Sequence, residues 1–369
     1  MRLVPIECIR ENSLLGKNIY TPDGRCLLKE GFILNSDTLI KIKEHKIFSL
    51  YIIDDYSDAV IEDIIKPELR QKSISVIKET FSNIERISSA HDFKKRTIND
   101  YTKQEKEYFS SINTIAEELV DNISTNKNVL LSLVDIKSMD NYTYAHCVNV
   151  AVISLVLGIS LNLSKKNLTY LCVGALLHDI GKSFIPSEIL QKPAMLTPEE
   201  FEIIKKHPRY GYEFLNNFYS LSSHIKLIVL QHHERFDGLG YPTGISTETI
   251  SYLSRIVCIA DVYDALTSDR PYKRAMCPSD ALEYLMSNSG TLFDPNMLDV
   301  FCKVIIIFPQ GTLVSLSNGD IGVVEETLPC FPLRPIVKIL KSERSNHIGS
   351  KVNLIYNLSI VISKVIYEV

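Results

Sequence analysis

Apolar residues recur at different intervals in different parts of this chain, and each interval predicts a different kind of element. Between residues 119 and 308 they fall at helical spacing in long amphipathic stretches, including 145–161, 170–178 and 198–207. This pattern predicts an all-helical domain over residues 119–308.

After Pro309 the apolar residues alternate with polar ones, and an Asn318-Gly319 pair separates two such runs. Asn-Gly between alternating apolar residues is the strongest short-range signal of a β-hairpin. Residues 309–369 are therefore predicted to form a small C-terminal β domain.

The first third of the chain gives weaker patterns. In residues 1–61, a strand-like run at 50–53 and an Asn35 helix cap predict a small α/β module, for which a regulatory role is one hypothesis. Residues 62–118 are charged with helix-spaced apolar residues, which predicts a helical connector that could pack in a homodimer or be a solvated spacer. The predicted fold class is mainly α: a central all-helical bundle with a small α/β module before it and a small β domain after it.

Composition excludes several classes of function. The 369 residues are 45% apolar, which is enough for two or three domains with their own cores. A net charge of −4 gives no basic field for a nucleic-acid polymer or an anionic membrane surface. The eight cysteines form no C-x-x-C pair and the first residues show no signal-peptide pattern, so a reducing cytoplasm is the predicted location. No apolar stretch is long enough to predict insertion into a membrane.

Five of the nine histidines fall in short motifs that also contain aspartates. These motifs contribute His146, His178-Asp179-Ile180-Gly181-Lys182, His207-Pro208, His232-His233 and Asp261. Taken singly, each histidine could be a core or helix-capping residue. Together, imidazoles and carboxylates form a ligand set that suits iron, manganese, zinc or nickel, so the motifs predict a dinuclear metal site.

With Gly240-Tyr241-Pro242, these motifs resemble the HD-GYP family, a subgroup of the HD phosphohydrolases, over residues 119–308. The resemblance implies an HD-type helical bundle that hydrolyses cyclic di-GMP, a bacterial second messenger, to pGpG and/or GMP. It implies two divalent ions, most often iron or manganese, and a water or hydroxide between them that attacks phosphorus. By position, His146, His178, Asp179 and Asp261 would hold one ion, and Asp179, His207, His232 and His233 the other.

The resemblance also implies how substrate is held. Lys182, one turn after His178, would act with Asp179 in catalysis by stabilising charge on the phosphoryl group. Arg270 and Lys273 would hold the substrate phosphates. The Gly240-Tyr241-Pro242 loop would lie beside the substrate or dock a partner such as a diguanylate cyclase domain.

Three further residues refine the expectation. Some relatives hold a third metal through a glutamate where this chain has Tyr142, so two metals are expected here. Asp264 is expected to orient a metal ligand, and Cys147 to lie in the core. Two alternatives stay open: a phosphodiesterase for another cyclic dinucleotide such as cyclic GMP-AMP, and a non-catalytic cyclic di-GMP receptor or scaffold.

Overall fold

The computed structural model describes most of the chain in segments separated by gaps. The described residues are 1–20, 26–45, 47, 49–54, 56, 64–89, 103–125, 131–132, 142–192, 194–218, 221–268, 275–328 and 330–368. The chain divides into two compact units. One contains Met1–Ile64, Leu130–Asn141 and Cys302–Val369, and the other contains Ile65–Val129 and Tyr142–Phe301.

The N-terminal part of the first unit is a small α/β module, as predicted. Its elements are β1 (Arg2–Pro5), β2 (Leu14–Leu15), β3 (Ile19–Tyr20), β4 (Cys26–Leu28), α1 (Ser36–Glu44) and β5 (Ser49–Ile53). Strands β1, β5 and β2 form an antiparallel sheet in that order, and β3 pairs with β4. The Asn35 side chain accepts a hydrogen bond from the Thr38 amide, which confirms the predicted helix cap.

The second unit consists of helices, and α12 continues from it into the first unit. The helices are α2 (Pro67–Ser89), α3 (Lys103–Ser124), α4 (Tyr142–Ser160), α5 (Lys165–Leu177), α6 (Ser187–Leu190), α7 (Pro198–Ile204), α8 (His207–Leu215), α9 (Ser223–Gln231), α10 (Tyr252–Thr267), α11 (Pro278–Ser287) and α12 (Pro295–Val304). Helix α4 packs against α5 and α10, and α5 packs against α3 and α9. The predicted mainly α fold with a central helical bundle is confirmed.

Helix α4 lies at the centre of this bundle. Its segment Thr143–Ser160 has the length and hydropathy of a membrane span, yet 72% of the segment is buried inside the protein. Cys147 is fully buried, as expected of a core residue. A core helix surrounded by other helices has this composition because it is apolar on every side.

Residues 62–118, for which the sequence predicts a connector, contribute α2 and α3 to the helical unit. Helix α2 packs against α3, α4 and the 3₁₀ segment Ile180–Phe184. Its buried apolar face includes Ile74, Ile77, Phe81 and Ile84. These residues recur at helical spacing, so one face of α2 is apolar and packs into the bundle.

The chain departs from the predicted helical course after His178. Helix α5 ends at Leu177, and residues Ile180–Phe184 form a tighter 3₁₀ segment, so Lys182 does not continue the helix of His178 as the sequence analysis assumed. The backbone of this segment lies close to α8: a Cβ atom on Gly181 would lie 1.9 Å from the His207 carbonyl oxygen. Glycine permits this approach because it has no side chain.

The C-terminal part of the first unit is an antiparallel sheet, as predicted. The remaining strands of this unit are β6 (Leu131–Ser132), β7 (Ile305–Ile306), β8 (Leu313–Leu316), β9 (Ile321–Glu326), β10 (Ile336–Lys341), β11 (Lys351–Asn353) and β12 (Ile362–Val365). Five of them form a sheet in the order β11-β10-β9-β8-β12, while β6 pairs with β7. The predicted hairpin joins β8 to β9, and Gly319 turns it with a positive φ of 87°.

Candidate metal centre

The predicted metal-ligating residues lie at one place in the helical unit, either within helices or at their ends. His178 and His232 directly follow α5 and α9, His207 begins α8 three residues after α7 ends, and His146 and Asp261 lie within α4 and α10. Six of the seven predicted ligands are buried; the side chain of His233 is 24% exposed. Their potential ligand atoms form two groups, His146 with His178 and Asp179, and His207 with His232 and His233.

The carboxylate of Asp179 belongs to the first group and also reaches the second. Its Oδ1 is 3.3 Å from His207 Nε2, and its Oδ2 is 3.4 Å from His178 Nε2. A carboxylate in this position can give one oxygen to each of two neighbouring cations. Asp179 therefore has the geometry that the sequence analysis assigned to a bridging ligand.

Asp261 also reaches both groups. Its Oδ1 is 3.0 Å from His146 Nε2, and its Oδ2 is 3.7 Å from His233 Nδ1. The family resemblance implies a role for Asp261 at the first ion alone. In the structure its second oxygen faces His233, which belongs to the other group.

Backbone carbonyls at helix ends orient three of the imidazoles. The Nδ1 atoms of His178, His207 and His232 lie 2.7, 2.8 and 2.9 Å from the carbonyl oxygens three residues earlier. The last carbonyls of a helix lack a partner within the helix, so a histidine placed there can satisfy one of them. Because a carbonyl only accepts, Nδ1 carries the proton and Nε2 keeps the lone pair that binds a metal.

A carboxylate orients the fourth imidazole. His146 Nδ1 lies 2.7 Å from Asp264 Oδ2, and Asp264 is almost completely buried. Asp264 therefore contacts a predicted ligand, and its role in orienting a metal ligand stays a prediction. The contact also leaves His146 Nε2 facing Asp261.

Two buried polar atoms at the centre have no hydrogen-bond partner among the described residues. They are His178 Nε2 and Asp179 Oδ1. An unsatisfied buried polar group costs about 1–3 kcal/mol, so proteins retain few of them without a reason. A cation beside both atoms would satisfy them, and the surrounding imidazoles and carboxylates suit a transition metal. The two groups of histidines and aspartates therefore form a candidate metal-binding site.

Burial and charge set opposite protonation states within the site. Burial lowers the pKa of His207 and of His233 to about 3, so both imidazoles are neutral near pH 7. Burial also disfavours charge on His146, but its contacts with Asp261 and Asp264 outweigh it and raise the pKa to about 9. For Asp179, burial is outweighed by the charge of Lys182 and by His178, which hold the pKa of the carboxyl well below its usual range.

A cavity of about 360 Å³ opens beside these residues. Its wall includes Lys182, whose Nζ lies 2.6 Å from Asp179 Oδ2. Burial alone would lower the pKa of Lys182, but the carboxylate beside it raises the pKa, so the ammonium stays charged. The cavity therefore combines a cation, a group of potential metal ligands and room for part of a small molecule.

The Gly240-Tyr241-Pro242 loop contributes one of its three residues to the cavity wall. Tyr241 lines the cavity, and its ring centroid is 4.8 Å from that of His233. Gly240 lies against the backbone instead: an added Cβ would be 2.3 Å from the Arg235 nitrogen. Arg270 and Lys273, predicted to hold substrate phosphates, lie outside the described residues.

Glu234 anchors the far end of this loop, a role that the sequence analysis did not assign. Its Oε1 accepts hydrogen bonds from the Thr243 amide and hydroxyl at 2.7 and 2.5 Å, and its Oε2 accepts one from the Gly244 amide at 3.0 Å. Glu234 is only 2% exposed. The sequence shows that Glu234 directly follows two predicted ligands. It does not show that Glu234 accepts hydrogen bonds from Thr243 and Gly244.

The cavity also has residues that the sequence motifs did not identify. Ile204, Leu266 and Tyr284 add apolar surface and an aromatic ring to its wall. Tyr284 lies on α11, which carries none of the motifs. Nothing in the sequence around Tyr284 distinguishes it from an ordinary surface tyrosine on a helix.

Comparison with known proteins places this fold and site in a class. A profile of the HD domain matches residues 118–297, and a profile of a KOW domain associated with the HD domain matches residues 313–368. A solved HDG"Y"P protein of Bdellovibrio bacteriovorus has the same fold, with a TM-score of 0.51, 20% identity and coverage of 81% of this chain and 97% of that one. The helical bundle and its buried histidine-aspartate groups thus define an HD-domain protein.

Sequence relatives identify the branch of that class. A cyclic di-GMP phosphodiesterase of Pseudomonas aeruginosa is 42% identical over 234 residues, which are 62% of this chain and 56% of that protein. A cyclic di-GMP phosphodiesterase of Thermotoga maritima is 33% identical over 269 residues, which are 69% of this chain and 71% of that protein. The chain belongs to the HD-GYP family of HD-domain phosphohydrolases. It spans about half the length of the Pseudomonas relative.

Proposed function

We propose that this protein is a metal-dependent phosphodiesterase that hydrolyses cyclic di-GMP to pGpG and/or GMP. The observation that carries the proposal is the carboxylate of Asp179, which reaches both histidine groups and lies beside the Lys182 ammonium. The cyclic di-GMP phosphodiesterases among its relatives support the choice of substrate.

Seven side chains would hold two divalent ions, most often iron or manganese in this family. They are His146, His178, Asp179 and Asp261 for one ion, and Asp179, His207, His232 and His233 for the other, with Asp261 also facing the second group. Ions held there would supply Lewis acidity, which lowers the pKa of water and neutralises charge on a phosphoryl oxygen.

The chain's own residues would do the rest. Lys182 provides a fixed positive charge at the cavity wall, where it can stabilise negative charge that develops on the phosphoryl oxygens. The hydrogen bonds on Nδ1 of four histidines keep their rings from turning, so the site is organised before substrate arrives. Tyr241 and Tyr284 add rings at the cavity wall on which a purine base can stack.

The test is turnover of cyclic di-GMP by anaerobically purified protein loaded with iron or manganese, with products separated by chromatography. Asp179→Asn is the critical variant because it keeps the side-chain shape while removing the charge shared by the two groups. We expect rapid loss of substrate with wild type and at least a thousandfold lower rate with the variant. A parallel Asp121→Asn variant changes an exposed carboxylate on α3 and should keep full activity.

Two results would redirect the assignment. Faster turnover of cyclic GMP-AMP than of cyclic di-GMP would make the protein a phosphodiesterase for that dinucleotide. Tight cyclic di-GMP binding without turnover at full metal occupancy would make it a receptor or scaffold.

Two further partners remain predictions: a homodimer and a diguanylate cyclase domain that docks on the Gly240-Tyr241-Pro242 loop. Tyr241 faces His233, whereas the neighbouring Leu239 is 78% exposed. Docking on this loop would therefore involve Leu239, and Leu239→Ser should weaken copurification with such a domain without changing turnover.

A further inference from the structure

A continuous path of hydrogen bonds runs from α2 to the metal centre. Arg70 Nη1 donates to Asn149 Oδ1 at 2.6 Å, and Asn149 Nδ2 donates to Asp264 Oδ1 at 3.0 Å. The other oxygen of Asp264 lies 2.7 Å from His146 Nδ1. The path thus links three helices, α2, α4 and α10, and ends on the imidazole that faces Asp261.

The chemistry of these groups fixes the direction of every bond. A guanidinium only donates hydrogen bonds and a carboxylate only accepts them, whereas an amide side chain does both. Asn149 can therefore lie between Arg70 and Asp264 in one orientation, with its oxygen toward Arg70. Asn149 is 4% exposed and Asp264 is 1% exposed, so solvent does not readily replace these contacts.

The position of Arg70 links the placement of helix α2 to this hydrogen-bond path. Arg70 lies in the first turn of α2, three residues after Pro67. The same helix packs against α4, which carries His146, and against Ile180–Phe184, which carries Lys182. A shift of α2 along its axis would move the Arg70 guanidinium relative to Asn149.

We propose that Arg70 and Asn149 are positioning residues that hold Asp264, and through it His146, so that the placement of α2 sets the metal affinity of the group containing His146. This inference rests on the metal centre proposed above. Neither residue touches the cavity, and neither belongs to the sequence motifs that identified the site. Groups that orient a metal ligand in this way typically change metal affinity by about 10–100-fold when removed.

The alternative explanation is that Arg70 only helps α2 to pack. A packing role predicts lower stability of the metal-free protein, equal effects on both ions and additive effects of two substitutions. A positioning role predicts that one ion is affected more than the other. It also predicts that two substitutions in the same path are not additive, because breaking either bond interrupts it.

The experiment measures the dissociation constants of Mn²⁺ for the full chain by competition with a chelating indicator, together with the unfolding free energy in excess chelator. The variants are Arg70→Met, Arg70→Lys, Asn149→Leu and the double variant Arg70→Met/Asn149→Leu. Arg86→Met, an exposed residue on the same helix, is the matched control. Methionine keeps the length of the arginine stem and removes the guanidinium.

We expect Asn149→Leu to raise one of the two Mn²⁺ dissociation constants by about tenfold. Arg70→Met should raise the same constant severalfold. The double variant should be no weaker than Asn149→Leu, Arg70→Lys should recover part of the loss, and Arg86→Met should match wild type. Equal constants in Arg70→Met and Arg86→Met, or additive losses in the double variant, would overturn the inference. Failure of the wild-type chain to bind Mn²⁺ would overturn the proposed function as well, so the two failures are distinguishable.

Discussion

The carboxylate of Glu234 shows how one buried side chain can fix a loop at the centre. It accepts three hydrogen bonds from Thr243 and Gly244, and the loop between them and His233 carries Tyr241 into the cavity wall. In Glu234→Gln, one accepting carboxylate oxygen is replaced by an NH2 group, which would face another hydrogen-bond donor. One unsatisfied buried donor costs about 1–3 kcal/mol. We therefore expect a loss of that size in unfolding free energy and a severalfold higher KM for cyclic di-GMP, with metal content unchanged.

The matched control for this prediction is Glu248→Gln, which makes the same change at an exposed position. Steady-state kinetics and metal analysis of both variants check the prediction. If Glu234→Gln lost its metal together with its activity, the carboxylate would be supporting the metal ligands directly rather than the loop.

Substitution of Lys182 tests whether the positive charge at the cavity wall acts on the substrate or on metal binding. Its ammonium lies 2.6 Å from Asp179 Oδ2, where it stabilises the ionised carboxylate and repels any cation bound there. Lys182→Met should therefore lower kcat by about 100-fold through the loss of transition-state stabilisation, while Mn²⁺ binds as tightly as in wild type or more tightly. Lys182→Arg keeps the charge and should retain more activity. A parallel loss of metal in Lys182→Met would contradict a role on the substrate side.

Residue patterns indicated the proposed ligands but not the side chains, such as Asn149, that hydrogen-bond to them indirectly. His178-Asp179 and His232-His233 stand out because each is a pair of adjacent ionisable residues directly after an apolar helix. Asn149 also interrupts an apolar run, between Val148 and Val150, but a single asparagine does not reveal which donor and acceptor it joins. That information depends on α2 and α10 meeting α4, which is a tertiary fact.

At the scale of elements, the close packing of Ile180–Phe184 on α8 holds Asp179 beside His207. Gly181 makes this possible, because a Cβ there would lie 1.9 Å from the His207 oxygen and 2.6 Å from the Gly211 nitrogen. Both neighbours are backbone atoms, so Gly181→Ala must separate the two segments. Overpacking of this kind costs about 1–3 kcal/mol, and we expect the upper end of that range.

Gly181→Ala should also weaken binding of Mn²⁺, since Ile180–Phe184 directly follows the proposed ligand Asp179 and α8 begins with the proposed ligand His207. Gly158→Ala is a suitable control, because the nearest atoms to its added Cβ are the side-chain methyl groups of Leu171 and Leu168, at 2.8 and 3.0 Å. Urea unfolding and Mn²⁺ titration measure the two effects. Similar behaviour of the two variants would mean that the spacing between Ile180–Phe184 and α8 does not control the metal centre.

Helical periodicity predicted the elements of this site but not the way α5 ends. The sequence predicts a helical stretch over 170–178, and Lys182 is expected one helical turn after His178. The structure tightens the backbone after Asp179 because α8 approaches Gly181. The hydrophobic periodicity of two segments about 25 residues apart does not reveal that their backbones lie in contact.

At the scale of the whole molecule, the sequence order of the segments differs from their grouping in space. Hydrophobic patterns show which face of an element is buried but not which partner covers it. The sequence predicts a helical connector over residues 62–118, and in the structure α2 and α3 of this range lie in the helical unit. Likewise, the separately predicted module and β domain fall within one compact unit of the chain.

Arg2 gives that first unit a testable link between its N-terminal and C-terminal segments. Its guanidinium contacts Asp54 Oδ2 at 2.7 Å and donates to the Tyr367 carbonyl at 3.0 Å, and only 7% of the side chain is exposed. Removing one partner of a buried pair costs about 3–5 kcal/mol. Because Asp54 is 20% exposed, we expect about 2–3 kcal/mol for Arg2→Met, measured as faster amide hydrogen exchange in β1 and β5.

The same variant should make the segment around Tyr367 more susceptible to proteolysis, because Tyr367 packs on the core of the α/β module and loses the hydrogen bond that holds its backbone there. Arg10→Met is the matched control: Arg10 is 63% exposed and meets Glu368 at 4.0 Å, a contact that contributes little in water. Mn²⁺ affinity should stay at the wild-type value in both variants, since all seven proposed ligands lie in the helical unit. Equal exchange rates in Arg2→Met and Arg10→Met would show that Arg2 does not hold these segments together. A change in Mn²⁺ affinity in Arg2→Met would show that the first unit influences the metal centre.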